Sequence, residues 1–350
     1  MIRIGIVGAG FIGTVHSMAL EQLLKHGMVD GAVVGVHDVD PQRAAALAAR
    51  HGAAVAASAA ELIERVDALW VCTWTAAHRD LVEQAAARSV AVFCEKPLAP
   101  TWSEAQAVAA AMATVHNQVG LVLRTSPVYI DIAARVAAGD GGRHLATVFR
   151  DDQYFPIRGI YGSDWRGDPT RAGGGTLIEH SIHDVDLLRW FFGDPQQVTA
   201  HTTDRPAHAG IDDSAVVTFT YPDGQNAVLI SVWHDVMSRA STRRLEIICA
   251  EAILTARNDQ TGPLEIATSA GVVSDEHGYP TWVEDFDGPP ALRHSIAGYA
   301  VANRAFLDAL AAGRPGPGPD AATALAAHRL VEAAYRSARS GGAPVDPAAI

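Results

Sequence analysis

Three glycines near the amino terminus have the spacing of a phosphate-binding turn. Gly8, Gly10 and Gly13 follow a short apolar run and open a helical stretch. The first glycine of such a turn permits a tight bend, the second lets a pyrophosphate approach the backbone, and the third lets helix and strand pack closely. The helix amino terminus then presents its N–H groups to the phosphates. This arrangement predicts dinucleotide binding; the alternative is a glycine-rich turn without a ligand.

An acidic residue, Asp38, ends the second apolar run at about the spacing expected of a carboxylate that accepts both ribose hydroxyls. Such a carboxylate repels a 2′-phosphate, so we predict NAD in preference to NADP. Arg43 could instead accommodate that phosphate, which leaves NADP open. The alternative for Asp38 is a turn residue ahead of Pro41.

Three titratable side chains could move a proton: Lys96, Glu179 and His183. Lys96 follows an apolar run, at the carboxyl end of a predicted parallel strand, where doubly wound folds bind ligands. Partial burial near a nicotinamide cation would lower the pKa of its amine and suit it to holding or relaying a proton. Glu179 and His183 are one helical turn apart, so we expect both on one helix face. An imidazole takes up a proton near neutrality, and a neighbouring carboxylate favours that charge.

Alternating strands and helices position these residues in the first third of the chain. Apolar runs alternate with Ala-rich helical stretches, which predicts parallel βαβ units in a doubly wound sheet. The predicted strands there are Ile2–Val7, Ala32–Val36, Ala68–Cys72, Val90–Cys94 and Val119–Leu123. Longer alternating strands follow from about Leu145, including a hairpin around Tyr221–Gly224, and these predict an antiparallel or mixed sheet with helices on one side.

The chain is long enough for two domains. We predict an α/β protein with an NAD-binding domain over residues 1–124. A substrate-binding and oligomerisation α+β domain over residues 125–350 follows, with a C-terminal helix at about 320–340.

Two further motifs accompany the glycine turn. One is Glu95-Lys96-Pro97, and the other is Gly173–Asp186, which reads GGGTLIEHSIHDVD. Together the three motifs resemble the glucose–fructose oxidoreductase / inositol dehydrogenase / rhizopine-catabolism (Gfo/Idh/MocA) family over nearly the whole chain. The resemblance implies a Rossmann domain followed by a large open, mostly antiparallel sheet. It also implies an NAD(P)-dependent dehydrogenase or reductase acting on CH–OH groups of a sugar, glycoside or inositol.

The resemblance further implies that Lys96 and His183 act on the substrate hydroxyl, with Glu179 beside them. We hypothesise that His183 accepts the hydroxyl proton as hydride passes to the nicotinamide, while Lys96 hydrogen-bonds the same oxygen. Glu179, where the family usually has Asp, orients His183 or binds a neighbouring hydroxyl. The other cofactor-binding candidates are Phe11, Ile12, Arg43, Thr73, Trp74, His78 and Glu95. The other substrate-binding candidates are Arg124, Tyr154, Trp165 and Arg166.

Composition restricts the partners. Asp and Glu number 39 against 27 Lys and Arg, and the net charge of −12 disfavours nucleic acid and anionic membranes while allowing a small polyhydroxylated substrate. The cysteines, Cys72, Cys94 and Cys249, form neither a disulfide framework nor a metal-ligand pattern, and we predict no metal. A strand pattern beginning at Ile2 and the lack of a long uncharged run predict a cytoplasmic protein.

An open sheet with one uncovered apolar face predicts a homodimer or homotetramer. Two alternatives to a dehydrogenase stay open at this point. One is a redox-assisted lyase, epimerase or glycosidase in which NAD is recycled, and the other is a non-catalytic dinucleotide sensor on the same fold.

Overall fold

The computed structural model describes residues 1–350 and groups them into two compact units. The first unit comprises Met1–Val122 and Pro280–Leu325, and the second comprises Leu123–Tyr279 and Ala326–Ile350. The domain boundary after Arg124 stays a prediction, and residues 280–325, which follow that boundary in the chain, belong to the first unit. In that segment Phe306 packs edge-on against Trp70 and Phe93, with ring centroids 5.3 and 5.7 Å away.

The first unit is built on a parallel sheet. In chain order its elements are β1 (Ile2–Val7), α1 (Phe11–Lys25), β2 (Gly31–His37), α2 (Pro41–His51), β3 (Ala54–Val55), α3 (Ala59–Ile63), β4 (Ala68–Val71), α4 (His78–Ala87), β5 (Ala91–Cys94), α5 (Trp102–Met112) and β6 (Asn117–Val119). The strand order is β3-β2-β1-β4-β5-β6, and every pair is parallel. Both β4 and β5 are buried along their whole length, as in sheets covered by helices on both faces. The prediction of a doubly wound domain is confirmed.

One predicted strand, Val119–Leu123, is wrong in its extent. The strand ends at Val119, and Val122–Thr125 forms a 3₁₀ turn. The chain leaves the sheet at Gly120, where an added Cβ would meet Glu95 Oε1 at 2.3 Å. The backbone therefore passes so close to the Glu95 carboxylate that a side chain at position 120 does not fit.

The second unit contains the larger sheet. Its elements are α6 (Pro127–Ala138), β7 (His144–Tyr154), α7 (Pro169–Ala172), α8 (Ile182–Phe192), β8 (Gln197–Arg205), β9 (His208–Thr220), β10 (Asn226–His234), β11 (Thr242–Cys249), β12 (Ala252–Ala256), β13 (Leu264–Thr268) and β14 (Gly271–Asp275). The order is β14-β13-β12-β11-β7-β10-β9-β8, in which only β7 and β10 are parallel neighbours. The predicted mostly antiparallel sheet is confirmed.

The predicted hairpin joins β9 to β10. Val217 pairs with Leu229 across it, and Gly224 takes the left-handed backbone conformation with φ +82° that its turn requires. The inward-facing side chains of the sheet, such as Phe149 and Leu229, pack with α6, α8 and the last long helix in one core.

Two long helices complete the chain, α9 (Arg293–Ala311) and α10 (Ala321–Arg339). Helix α9 packs against α1 within the first unit. Helix α10 begins where the sequence predicts, because the Asp320 carboxylate accepts the Thr323 N–H at 2.8 Å. The division between the two units falls within α10. None of the helices is both long enough and apolar enough to span a membrane.

Candidate active site

The glycine turn after β1 has the shape that a dinucleotide requires. Gly8 has φ +98°, and an added Cβ there would meet the backbone of Cys72 at 2.5 Å. A Cβ at Gly13 would meet Gly8 O at 2.0 Å, so helix and turn pack too closely for any side chain. At Gly10, by contrast, a Cβ would project into open space, so a pyrophosphate can approach the backbone there.

Helix α1 begins directly after this turn and has no side-chain cap at Gly10 and no acidic residue in its first turn. A helix amino terminus without such a cap suits an anion. Phe11 and Ile12, both predicted to contact the cofactor, are the first two residues of this helix. The turn and the helix therefore fit the diphosphate of NAD.

Asp38 lies just after β2 and is fixed against the glycine turn. Its Oδ2 accepts the Ala9 N–H at 2.6 Å, and its Oδ1 accepts the Asp40 N–H at 2.8 Å. Each carboxylate oxygen keeps further lone-pair capacity for a ribose hydroxyl. Arg43, the residue that leaves NADP open, is exposed and its Nε lies 3.3 Å from Asp40 Oδ2. A carboxylate held beside the turn suits the ribose of NAD better than a 2′-phosphate.

Lys96 follows β5, at the same carboxyl edge of the parallel sheet as the glycine turn. Its backbone N–H donates to Glu95 Oε2 at 3.2 Å, and its peptide bond to Pro97 is cis. Glu95 is buried, with 4% of its surface exposed, whereas Lys96 is half-buried. The buried carboxylate thus fixes the backbone from which the lysine side chain projects.

His78 holds the neighbouring loop from the side of α4. Its Nδ1 lies 2.9 Å from Pro97 O and its Nε2 lies 3.3 Å from Thr73 O. Burial lowers the pKa of His78 against the opposing effect of these carbonyls. Thr73 and the half-buried Trp74 follow β4 in this loop. The structure brings Thr73, Trp74 and His78 to one region of the first unit with Glu95 and Lys96. Direct contact of each with NAD stays a prediction.

In the second unit, the start of the segment that carries Glu179 and His183 is hydrogen-bonded to the carboxylate of Asp212, a residue that sequence reasoning missed. Asp212 of β9 accepts the Gly175 N–H at 2.7 Å, the Leu177 N–H at 2.9 Å and the Tyr335 hydroxyl at 2.8 Å. A Cβ at Gly175 would meet Asp212 O at 1.9 Å, which explains glycine there. Burial raises the pKa of Asp212 against these three donors.

The segment itself is not one continuous α-helix. Residues Thr176–His180 form a π-helical turn, and α8 begins only at Ile182. We expected Glu179 and His183 to project from one face of a single α-helix. That expectation is wrong, because Glu179 lies in the π-helical turn and His183 in α8, so their angular spacing is not that of a continuous α-helix. Both side chains are nevertheless buried, with 2% of Glu179 and 7% of His183 exposed.

Glu179 is paired with a predicted substrate residue, Arg166. Arg166 Nε lies 2.8 Å from Glu179 Oε1, so the two side chains form a close ion pair. The direction of the Nε–H bond does not meet hydrogen-bond geometry. The guanidinium also lies 4.6 Å from the ring centre of Trp165. Trp165, Arg166 and Glu179 thus form one contiguous group.

The remaining predicted substrate residues, Arg124 and Tyr154, have other hydrogen-bond partners. Arg124 donates to both oxygens of Asp186 at 2.7 and 2.8 Å and covers Trp190, so it anchors α8. The Tyr154 hydroxyl accepts the Ile160 N–H at 3.2 Å. Their contact with substrate stays a prediction.

A buried cluster of charged residues lies between α8 and the sheet, and sequence reasoning did not identify it. Arg243 Nε donates to Asp184 Oδ1 at 2.8 Å, and its Nη2 lies 3.3 Å from Asp151 Oδ2 and 3.1 Å from His180 Nε2. Ser181 donates to Asp151 at 2.7 Å. The other oxygen of Asp184, Oδ2, is buried and has no hydrogen-bond partner. Burial raises the pKa of Asp184 well above its usual value, which favours the protonated form of Asp184 in this cluster.

Comparison with known proteins identifies the class. Residues 2–122 match the model of an oxidoreductase family with an NAD-binding Rossmann fold, GFO_IDH_MocA, and residues 129–255 match the GFO/IDH/MocA C-terminal domain. The chain belongs to the Gfo/Idh/MocA oxidoreductase family. The predictions of the family, of an NAD-binding Rossmann domain and of an oxidoreductase are confirmed.

Individual relatives match over nearly the whole chain. An inositol 2-dehydrogenase of Rhizobium meliloti (strain 1021) is 29% identical and covers 96% of both chains. The myo-inositol dehydrogenase Hyg17 of Streptomyces leeuwenhoekii is 31% identical, over 99% of this chain and 100% of that one. The structure of a levoglucosan dehydrogenase in complex with NADH and levoglucosan matches with a TM-score of 0.85, at 20% identity and with 99% coverage of both chains. This last similarity concerns the fold.

Proposed function

We propose that this oxidoreductase transfers a hydride between NAD and a secondary alcohol carbon of an inositol, sugar or glycoside. The observation that carries the proposal is the position of Lys96, which follows β5 at the carboxyl edge where the glycine turn follows β1. Ligands of open α/β sheets bind at this edge. Relatives named inositol dehydrogenases, which match nearly the full chain, support a polyhydroxylated ring as the substrate.

NAD, when bound, supplies the carbon that takes up the hydride. The protein's part is to hold the substrate hydroxyl and move its proton. His183 accepts that proton, and Lys96 hydrogen-bonds the same oxygen and steadies the developing charge. Glu179 binds a neighbouring hydroxyl, a role supported by its ion pair with Arg166, because a cationic partner favours the ionised carboxylate that accepts hydrogen bonds.

The test is a panel of inositols, sugars and glycosides assayed with NAD for absorbance of the reduced cofactor. Lys96→Ala and His183→Ala should each lower turnover by about 10²–10⁴-fold while NAD binding survives. The chain has only one other lysine, Lys25, which pairs with Asp287 on the surface, so Lys25→Ala is the matched control and should keep full turnover. Near-normal turnover of Lys96→Ala would contradict the proposal. Substrate consumption without net NADH would instead indicate a redox-assisted lyase, epimerase or glycosidase.

We also propose that a second copy of the chain covers the open face of the large sheet, giving a homodimer or a homotetramer. Val148 and Val216 on that face are 38% and 42% exposed, and Val228 pairs in register with Val148. A contiguous apolar sheet face favours self-association. Val216→Glu should halve the mass measured by light scattering, and an unchanged mass would contradict this interface.

The cytoplasmic location stays a prediction.

A further inference from the structure

His16, in helix α1, is a buried histidine that the proposed chemistry does not use. None of its surface is exposed, yet both ring nitrogens have polar partners. Its Nδ1 lies 3.0 Å from Asn303 Oδ1 in α9, and its Nε2 lies 2.9 Å from Glu95 Oε1. All three residues belong to the first unit. A core histidine that only fills space does not need two such partners.

A tryptophan determines which way these hydrogen bonds run. Trp70 Nε1 lies 3.1 Å from Asn303 Oδ1, and an indole N–H can only donate. The atom of Asn303 between Trp70 and His16 is therefore the carbonyl oxygen, because an amide nitrogen there would face the indole donor. His16 Nδ1 must consequently carry a hydrogen and donate it to that oxygen.

The other side of the ring faces a carboxylate, which only accepts hydrogen bonds when it is ionised. With one hydrogen fixed on Nδ1, a second proton occupies the contact between Nε2 and Glu95. Glu95 Oε2 also accepts the Lys96 backbone N–H, which favours the ionised carboxylate, and an imidazolium beside that carboxylate leaves no isolated buried charge. Phe93 and Tyr299 hold the ring edge-on, with centroids 4.9 and 4.5 Å away, so the imidazole cannot turn to other partners.

The pair lies directly beside Lys96, because Glu95 Oε2 accepts the Lys96 backbone N–H. The other titratable groups that face Glu95 are the thiols of Cys72 and Cys94 and the ring of His78. Burial, and to a lesser extent the charge of Glu95, raises the pKa of both thiols well above the usual value. Those groups are therefore neutral, and His16 is the one cation of this set, apart from Lys96 itself, that can offset Glu95.

We propose that His16 is a positioning residue for Lys96: its proton neutralises Glu95 and thereby sets how readily the Lys96 amine releases its own proton. Without that cation, the Glu95 carboxylate would stabilise the protonated amine. Without the carboxylate, the amine would lose its proton more easily. The inference rests on the proposed role of Lys96 and assigns to the α1 histidine a function in proton handling.

The test uses the scarcity of lysine. Protein grown with ¹³C-labelled lysine has two side-chain signals, Lys25 and Lys96, so the titration of Lys96 can be followed directly by NMR. His16→Gln removes the cation but keeps an amide beside Glu95, and it should raise the Lys96 titration midpoint by about one pH unit. Glu95→Gln should lower it by about the same amount. The double variant should return it close to the parent value.

Two controls separate charge from packing. Cys94→Ala removes a buried side chain next to Glu95 without changing any charge, so it should leave the Lys96 midpoint unchanged. The Lys25 signal should not move in any variant, since Lys25 pairs with Asp287 on the surface. A Lys96 midpoint that stays fixed in both His16→Gln and Glu95→Gln, or that moves equally in Cys94→Ala, overturns the proposal.

A second measurement tests the proposal without the His16→Gln variant, in case that variant does not fold. In the parent protein, ¹⁵N spectra of histidine should contain an imidazolium signal that is lost in Glu95→Gln. The absence of such a signal overturns the proposal. These readouts need no turnover, so near-normal activity of Lys96→Ala would refute the proposed function while leaving the His16–Glu95 result intact.

Discussion

The guanidinium of Arg166 lies 2.8 Å from the carboxylate of Glu179, and both groups are largely buried. Arg166→Gln removes this cationic partner, and a buried carboxylate that loses a cationic partner is a weaker acceptor for a substrate hydroxyl because burial favours its neutral form. We expect kcat/KM to fall by roughly 10–100-fold, in line with the usual strength of hydrogen bonds to charged groups. Steady-state kinetics measures this, and NAD affinity should not change. Arg158→Gln, an exposed arginine of the same loop, is the control, and an equal loss there would contradict the interpretation.

Asp38 gives a prediction about cofactor choice. Asp38→Ala removes both the proposed ribose acceptor and the partner of the Ala9 N–H, so kcat/KM with NAD should fall by roughly 10–100-fold while NADP is affected less. The ratio of the two efficiencies is the readout. Asp40→Ala is a matched control, because Asp40 caps α2 through the Gln42 and Arg43 N–H groups. Its loss should destabilise the protein by about 1 kcal/mol without changing the cofactor ratio.

The buried cluster around Arg243 predicts a dependence of stability on pH. Burial raises the pKa of Asp184 well above its usual value, so the folded state holds a proton that the unfolded chain releases near pH 4. This contribution is therefore full below about pH 4 and declines as pH rises towards the folded-state pKa, by about 1.4 kcal/mol per pH unit.

Asp184→Asn keeps the shape of the protonated acid and removes that decline. The melting temperature of the variant, relative to the parent, should rise as the pH increases above about 4 towards the folded-state pKa of Asp184. Asp259→Asn alters a more exposed carboxylate on the same arginine and should show a weaker trend. A constant difference between Asp184→Asn and the parent across this range would contradict the assignment of the proton to Asp184.

Asp212 anchors the start of the segment that carries Glu179. Asp212→Ala leaves the buried Gly175 and Leu177 N–H groups without acceptors, so we expect a loss of about 3–5 kcal/mol in the free energy of unfolding. Tyr335→Phe removes only the hydroxyl donor and should cost about 1 kcal/mol. Urea unfolding compares the two. Similar losses for both variants would show that the carboxylate does not hold this segment.

The cofactor side of the site could be predicted from the sequence because its determinants are local. Gly8, Gly10 and Gly13 act within one turn, and Asp38 and Lys96 each follow a strand whose apolar pattern is plain. Their positions at one sheet edge follow from parallel connectivity alone.

The residues that sequence reasoning missed depend on pairs far apart in the chain. His16 meets Asn303 across 287 positions, and Arg243 meets Asp184 across 59. None of these four residues lies in a local sequence pattern that distinguishes it from an ordinary helix or strand residue. The π-helical turn at Thr176–His180 was missed for another reason: it depends on the Asp212 carboxylate, which becomes a neighbour only after β9 is in place.

The return of α9 to the first unit has a consequence for synthesis on the ribosome. Trp70 and His16 emerge early, but the carbonyl that accepts from both belongs to Asn303. A nascent chain that has reached only residue 122 carries every strand of the parallel sheet but lacks this acceptor, as well as the Phe306 ring that covers Trp70 and Phe93. The parallel-sheet unit is therefore incomplete until Asn303 and Phe306 have been translated.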